Sequence, residues 1–217
     1  FEGVKEAINI GKYTLASISK ERGFIDLLPN LLKKEGLTMD DFRYMMLKNV
    51  NALTESEIRK LANIRRALPK PNEKTLMQKV IPADDIEQYI SGQYFGVQGS
   101  IAIASDAKHL KTFEDYYYGL RLDYKNTKFH ISKNSCGVIR FKSSKTPKNI
   151  VIPKGGTFDN WAYPFTSTGF TSGNNGRLGI PEWNLLRRVK FNEGDEIWEV
   201  SNDGKEILRA IYSKEYE

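Results

Sequence analysis

PKPNEKTLMQKVI (residues 69–81) is the stretch at which the sequence changes from a helical to a strand-like pattern. Its first six residues hold two prolines and an asparagine, which interrupt regular structure and are typical of a connection. The TLMQKVI stretch that follows is typical of a short strand. We therefore expect a helical region over residues 1–70 and a second region over residues 71–217.

The residues before this connection show the spacing and end signals of helices. Residues 1–18 place apolar side chains on one face, and the stretch 25–36 ends at Gly36, a residue that suits a helix C-terminus. Thr38 and Thr54 each precede a helical stretch and have an acidic residue three positions later, which predicts a capping box at each. We interpret this region as a small helical bundle or cap.

The residues after the connection predict an α+β fold with a largely antiparallel, mixed sheet. Residues 82–90 and 106–120 are typical of helices. The NDGK stretch (202–205) predicts a hairpin turn between the last two strands. Further strands are predicted at GSIAIAS (99–105), CGVIRFK (136–142), NIVIP (149–153), EIWEVS (196–201) and EILRAIYS (206–213).

Composition limits the classes of protein to which this chain can belong. Its 40% hydrophobic and 28% charged residues are typical of a globular protein, and no apolar run approaches the roughly 20 residues that span a bilayer. A single cysteine, Cys136, excludes an internal disulfide, and two histidines argue against a histidine-rich metal site. The chain begins at Phe1 with no signal-peptide pattern, so we expect a fragment of a longer protein.

Charge is unevenly distributed between the two regions. The net charge is +6, and residues 1–70 carry 13 basic against 9 acidic side chains. Residues 71–217 carry 20 basic against 18 acidic side chains, so this region is nearly neutral. Binding to a nucleic-acid backbone usually concentrates positive charge, and this balance therefore argues against a nuclease.

YPFTSTGFTSGNNGRLGIPEW (163–183) is the first candidate site. Its serines and threonines can donate and accept hydrogen bonds, and its glycines let a ligand approach the backbone, although a solvated loop is the alternative interpretation. Glu182 lies between Pro181, which restricts the backbone, and Trp183, whose ring can desolvate a carboxylate. We therefore take Glu182 as the candidate functional acid.

IASDAKHLKTFEDYYYGLRLDY (103–124) is the second candidate site. His109, Lys111 and Arg121 could form the acid–base and phosphate-binding set of a metal-independent ribonuclease. Arg121 could instead bind the phosphates of a dinucleotide. A third interpretation is a structural helix with a polar face.

Four stretches resemble, in order, the C-terminal toxin domains of bacterial polymorphic toxins, which are contact-dependent or secreted, and specifically their ADP-ribosyltransferase-like members. The resemblance covers residues 54–212 and implies a sheet of ADP-ribosyltransferase type. It also implies a larger toxin that is secreted or delivered to another cell and acts in the target-cell cytosol, and an immunity protein that protects the producer. The stretches are LPKPNEKTLMQKVIPADDIEQYISG (68–92), SDAKHLKTFEDYYYGLRLDY (105–124), GVIRFK (137–142) and residues 163–183.

The resemblance implies NAD as substrate, without a metal, and cleavage of its nicotinamide–ribose bond. The ADP-ribose would pass to water, or to a target-cell protein or nucleic acid. Glu182 takes the role of the catalytic carboxylate, and Ser167 and Thr168 order the site. The implied NAD-binding residues are Arg121 or Arg177 at the pyrophosphate, Phe170 or Tyr163 against the nicotinamide ring, Thr171 and Asn175.

The sequence departs from this family at three places. Ile180 occupies the position at which arginine-modifying members carry an acid or glutamine, and the literal Ser-Thr-Ser triplet becomes Ser-Thr-Gly at 167–169. Gln78 and Lys79 stand on the first strand where an arginine or histidine is usual. Hydrolysis of NAD, a ribonuclease using His109, and a binding module without enzymatic activity therefore stay open.

Overall fold

The computed structural model describes residues 11–153 and 168–214. In these ranges the chain is an α+β protein in which helices precede a seven-stranded antiparallel sheet, as the sequence predicts at this level. The α-helices are α1 (Leu15–Ser19), α2 (Phe24–Glu35), α3 (Met39–Leu47), α4 (Glu55–Ala67), α5 (Ile86–Ile90) and α6 (Phe113–Gly119). The strands are β1 (Met77–Pro82), β2 (Val97–Ile103), β3 (Ser135–Phe141), β4 (Ile150–Val151), β5 (Trp183–Val189), β6 (Glu196–Ser201) and β7 (Glu206–Ile211).

The ends of the long helices follow from their capping residues. Thr38 and Thr54 both form the predicted capping boxes, in which the threonine hydroxyl accepts from the third helical N–H and the acid at that position accepts from the threonine N–H. Gly36 ends α2 in the left-handed conformation at φ +68°, as predicted. The predicted helix over residues 1–18 is wrong for residues 11–14, because helix α1 begins at Leu15 after the Thr14 cap; residues 1–10 lie outside the described ranges.

The helical region packs against the glycine-rich stretch. Phe24 and Phe42 meet the ring of Phe170 at centroid distances of 5.8 and 5.4 Å. Leu178 joins the same hydrophobic cluster. Burial of these large side chains is the main term that holds the helices against residues 170–178.

The strand order is β4-β5-β2-β1-β3-β6-β7, and every ladder in it is antiparallel. Strand β1 pairs with β3 along its whole length, but its register with β2 contains only Met77↔Ile103 and Gln78↔Ala102. The sheet is therefore held together at its centre by a short ladder. Beyond that ladder β1 and β2 diverge and leave an opening between the two halves of the sheet.

Two elements differ from the sequence prediction. Strand β5 was not predicted, yet it lies between β4 and β2. Residues 106–120, predicted as one helix, form the end of a 3-10 turn at Ala104–Ala107, a connection, and α6. The break has a local cause, because Thr112 forms a capping box with Asp115 and starts a new helix there.

Candidate active site

A cavity of about 380 Å³ lies where β1 and β2 diverge. It combines an apolar wall with a group of polar side chains from β1, β2, the residues after α6 and the glycine-rich stretch. A pocket of this size and mixed character is typical of a small-ligand site. The polar side chains are Gln78, Lys79, Ser100, Arg121, Tyr124, Thr171 and Glu182.

A second, larger cavity of about 510 Å³ lies between α5 and the end of β7. Its wall is aromatic and aliphatic in large part, and its acid, Asp195, already accepts hydrogen bonds from the backbone N–H groups of Lys142 and Asn192. That carboxylate is engaged in holding loops together. We therefore place the candidate site in the smaller cavity, where the convergent polar groups lie.

Glu182 lies directly before β5 with its side chain half-buried in the cavity wall. Burial raises the pKa of its carboxyl, and a hydrogen bond from the Ser100 side chain and the charges of Arg65 and Lys79 act in the opposite direction. The backbone is fixed on both sides, because Glu182 N donates to Gly169 O at 2.8 Å and Glu182 O accepts from Arg65 Nη2 at 2.7 Å. The acid is thus partly desolvated, held in place and supplied with a hydroxyl partner.

Strand β1 contributes two polar side chains to the cavity. Lys79 Nζ donates to the backbone oxygen of Ser100 at 3.3 Å, and burial lowers the pKa of Lys79 to about 8, against the effect of the Glu182 charge. Gln78 is only 3% exposed, and its Nε2 has no hydrogen-bond partner among the described residues. A buried amide without a partner is costly, and such a group is expected to be a contact for something that binds there.

Arg121 lies at the cavity with its charge already paired. Its backbone has φ +54°, and its Nε and Nη2 donate to the two carboxylate oxygens of Asp123 at 2.9 and 3.1 Å. Its Nη1 donates to Ser172 Oγ at 3.1 Å. The guanidinium is therefore held in one orientation at the cavity wall, where Asp123 balances its charge.

Thr171 also lines the cavity, but its hydroxyl has structural partners. Thr171 Oγ1 donates to Gly119 O at 2.7 Å and accepts from Ile180 N at 2.9 Å. The chain passes so close to itself here that a Cβ at position 179 would lie 2.0 Å from Thr171 O, which explains Gly179. Thr171 therefore ties the glycine-rich stretch to the end of α6.

Several predicted NAD-binding residues lie away from the cavity. Phe170 is buried in the helical core, where it packs on Phe24 and Phe42, so it is not available to stack on a ligand. Arg177 contacts Asp115 at 3.2 Å and Glu114 at 3.6 Å and lies over the Tyr118 ring. Asn175 is exposed in a turn, with a backbone φ of +49°. Thr168 is half-buried beside Gly169 and does not line the cavity. Ser167 and Tyr163 lie outside the described residues.

The alternative ribonuclease set is not brought together around one cavity in the described part of the chain. His109 Nε2 lies 3.1 Å from Leu178 O, its Nδ1 is buried without a partner, and burial lowers its pKa. Lys111 is exposed, and neither it nor His109 lines the cavity that holds Arg121. His109 therefore contacts a backbone carbonyl and lies away from this cavity, with no partner for its Nδ1 among the described residues.

Two residues that the sequence analysis did not identify have direct contacts with Glu182. Ser100 stands in β2 directly before the apolar residues 101–103, and a hydroxyl at that place was the sequence signal that could have identified it. Arg65 stands four residues after Leu61, on the buried stripe of α4, where a charged side chain needs a partner. A basic residue on an apolar stripe could have been recognised, but its partner more than 100 residues away could not.

Comparison of the chain with protein-family models, with curated proteins and with solved structures gave no match. Across residues 11–153 and 168–214, no helix is long and apolar enough to cross a bilayer. The same residues contain no cluster of three or more histidine, cysteine or acidic side chains that could hold a metal ion. The interpretation of the site therefore depends on its own geometry.

Proposed function

We propose that this chain is a toxin domain that binds NAD at the opening between β1 and β2 and cleaves its nicotinamide–ribose bond. The observation that carries the proposal is Glu182, half-buried in this cavity, with the Ser100 hydroxyl on its carboxylate. The order of elements supports an ADP-ribosyltransferase-type fold: a first strand with a cationic residue, which is Lys79 in place of the usual arginine or histidine, a strand with a hydroxyl, and a late carboxylate. In this proposal Ser100 takes the ordering role that the sequence analysis gave to Ser167 and Thr168.

The chemistry requires Glu182 in its ionised form. As the bond between the ribose C1′ and the nicotinamide nitrogen breaks, its electron pair goes to the ring, which leaves as neutral nicotinamide. Positive charge develops at C1′ and the ribose ring oxygen, and the nearby carboxylate stabilises it in a partly dehydrated site. Water or another nucleophile then forms the new bond to C1′ and releases a proton to the solvent.

Other residues of the cavity suit the remaining parts of a dinucleotide. The rigid guanidinium of Arg121 offers a contact for the pyrophosphate, which would share it with Asp123. The free Nε2 of Gln78 offers a donor to a carbonyl or hydroxyl oxygen of the ligand. Tyr124, which also lines the cavity, offers an aromatic face.

The acceptor of the ADP-ribose is water in the simplest form of the proposal. Ile180 is buried and lines the cavity at the position where arginine-modifying members of the family carry an acid or glutamine. An apolar side chain there does not activate a guanidinium acceptor. Transfer of the ADP-ribose to a group on a target-cell protein or nucleic acid is the other form of the reaction, and an assay with labelled NAD would detect it.

The biological setting proposed for this activity follows the toxin resemblance. The domain would be secreted or delivered as part of a larger toxin and would consume NAD in the cytosol of the target cell, and an immunity protein would block it in the producer. Expression of the chain in the cytosol of a test bacterium is then expected to lower NAD and stop growth. Growth that stays normal with active wild-type protein present would contradict this setting without contradicting the chemistry.

The decisive experiment measures release of nicotinamide from NAD by the purified chain. We expect release by the wild type and a loss of at least about a hundredfold in Glu182→Gln, since an essential electrostatic contact is removed. Glu73→Gln, at an exposed glutamate, is the matched control and should keep full activity. Cleavage of total RNA that is lost in His109→Ala, with no release of nicotinamide, would replace the proposal with the ribonuclease.

A further inference from the structure

Arg65, from helix α4 of the helical region, contacts the backbone on both sides of the candidate site. Its Nε donates to Gly169 O at 3.0 Å, and its Nη2 donates to Glu182 O at 2.7 Å. These two residues are themselves joined by the hydrogen bond from Glu182 N to Gly169 O. Arg65 therefore fixes the two chain segments that meet at the isolated bridge between Phe170 and Pro181.

The position of Arg65 is tightly determined by its surroundings. Its side chain is 3% exposed, and its guanidinium lies 4.2 Å from the centre of the Trp183 ring. Gly169 permits the close approach, because a Cβ at this residue would lie 3.0 Å from Arg65 Nε. A planar guanidinium can bind two carbonyl oxygens and stack on a ring at once, whereas a lysine ammonium cannot reproduce this arrangement.

The charge of Arg65 lies close enough to act on the candidate acid. Burial lowers the pKa of Arg65 to about 10, and the charges of Asp106 and Glu182 act against that shift, so the side chain is cationic at neutral pH. Glu182 faces Arg65 from α4, Lys79 from β1 and the Ser100 hydroxyl from β2, while Arg121 lies on the same cavity wall. Removal of the Arg65 charge leaves Lys79 as the cation that acts directly on Glu182.

We infer that Arg65 is a positioning residue for Glu182, which makes the helical region part of the active unit. It holds the backbone that carries the carboxylate, and its positive charge acts on that carboxylate. The kinetic consequences of this inference rest on the proposed function. The geometric and electrostatic consequences do not, because they concern the state of Glu182 itself.

The test uses Arg65→Gln, which removes the charge but keeps one donor, and Arg65→Lys, which keeps the charge but loses the planar pair of donors. Arg66→Gln is the matched control, since Arg66 is the exposed neighbour on the same helix. The readouts are kcat and KM for NAD, and the pKa of the Glu182 carboxyl measured by ¹³C NMR titration, with its resonance assigned by its loss in Glu182→Gln. Circular dichroism establishes that each variant is folded.

We expect kcat to fall by about tenfold to a hundredfold in Arg65→Gln while KM changes little, because a small displacement of a catalytic group has a large effect on rate. The pKa of Glu182 should rise in Arg65→Gln and stay close to the wild-type value in Arg65→Lys, whose kcat should still fall. Arg66→Gln should match the wild type in every readout. A folded Arg65→Gln with unchanged kcat and unchanged Glu182 pKa overturns the inference.

The two proposals can fail separately. If the wild type does not cleave NAD, the proposed function fails, and the Glu182 titration alone still decides whether Arg65 acts on that carboxyl. If Arg65→Gln does not fold, Arg65→Lys decides, since release of the two carbonyl oxygens must lower kcat or shift the Glu182 resonance. An Arg65→Lys protein without either change would refute the positioning role.

Discussion

At the scale of single residues, the ionisation of Glu182 reflects opposing effects of its surroundings. Burial disfavours the charged carboxylate and raises its pKa, while the Ser100 hydrogen bond and the charges of Arg65 and Lys79 favour the charged form. Burial is the largest of these effects, so the carboxyl is expected to titrate above an ordinary glutamate. The proposed chemistry needs the charged form, and this ties activity to pH.

The acid limb of kcat/KM should therefore lie above the pKa of about 4.3 for a free glutamate. Activity is lost as the pH falls through the raised pKa, because the carboxylate takes up a proton. Ser100→Ala removes a hydrogen bond that lowers the pKa, so it should move this limb to still higher pH. Ser144→Ala, at an exposed serine, should leave the limb in place; a wild-type limb near 4 would contradict the prediction.

Replacement of Gln78 should change the stability of the protein and its binding of NAD in opposite directions. Replacement of its unpartnered buried amide by methionine removes a desolvated donor and is expected to raise the free energy of unfolding by about 1 kcal/mol. The same change should raise KM for NAD, because the ligand loses a donor. Urea unfolding and steady-state kinetics measure both effects, and a clear loss of stability would mean that the amide has a partner in solution.

At the scale of elements, the site depends on the short ladder between β1 and β2 and on the segment that leads into β5. Gly169 in that segment has φ +82°, and a Cβ there would lie 2.6 Å from Ile152 Cγ2. Gly176 has a similar φ, +77°, but a Cβ there would meet no atom of the described residues within 4 Å. These two glycines therefore separate the cost of backbone strain from the cost of a clash.

Gly169→Ala should be less stable than Gly176→Ala in chemical unfolding. Both carry the strain of a positive φ, about 1 kcal/mol, but only the first forces Ile152 or Arg65 to move. Gly169→Ala should also lose NAD cleavage, while Gly176→Ala keeps it. Equal stability and activity of the two variants would show that the Gly169 segment adapts without disturbing Arg65.

What could be predicted from the sequence differs between elements. The caps at Thr38, Thr54 and Gly36 were predicted because each depends on residues within a few positions. Strand β5 was missed because its residues, WNLLRRV, do not alternate cleanly between apolar and polar. The glycine-rich stretch was recognised, but Phe170 was misplaced, since nothing local distinguishes a ring that faces a ligand from one that fills a helical core.

At the scale of the whole molecule, hydrogen bonds join the helical region to the residues of the sheet region. Phe24 N donates to Asp106 Oδ1 at 2.8 Å, and Leu15 N donates to Glu206 Oε2 at 2.8 Å. The buried guanidinium of Arg140 also donates to Tyr13 O at 2.7 Å. Removal of the helices would leave Asp106 Oδ1 and the apolar surface of Phe170 without these partners, whereas Arg140 and Glu206 would keep their contact with each other.

A fragment of residues 69–217 is therefore expected to lack a cooperative thermal transition and NAD cleavage. The full chain should unfold in one transition, because the shared core couples its two regions. Differential scanning calorimetry and nicotinamide release test both statements. A folded, active fragment would show that the helices are dispensable.

The contacts of Arg65 join residues 104 and 117 positions apart. The acid is therefore placed only after the chain has folded past Trp183 and brought this segment back onto α4. A chain in which this segment has not yet folded onto α4 would hold the same residues without a fixed position for Glu182. The proposed activity would therefore appear only after the contacts of Arg65 have formed.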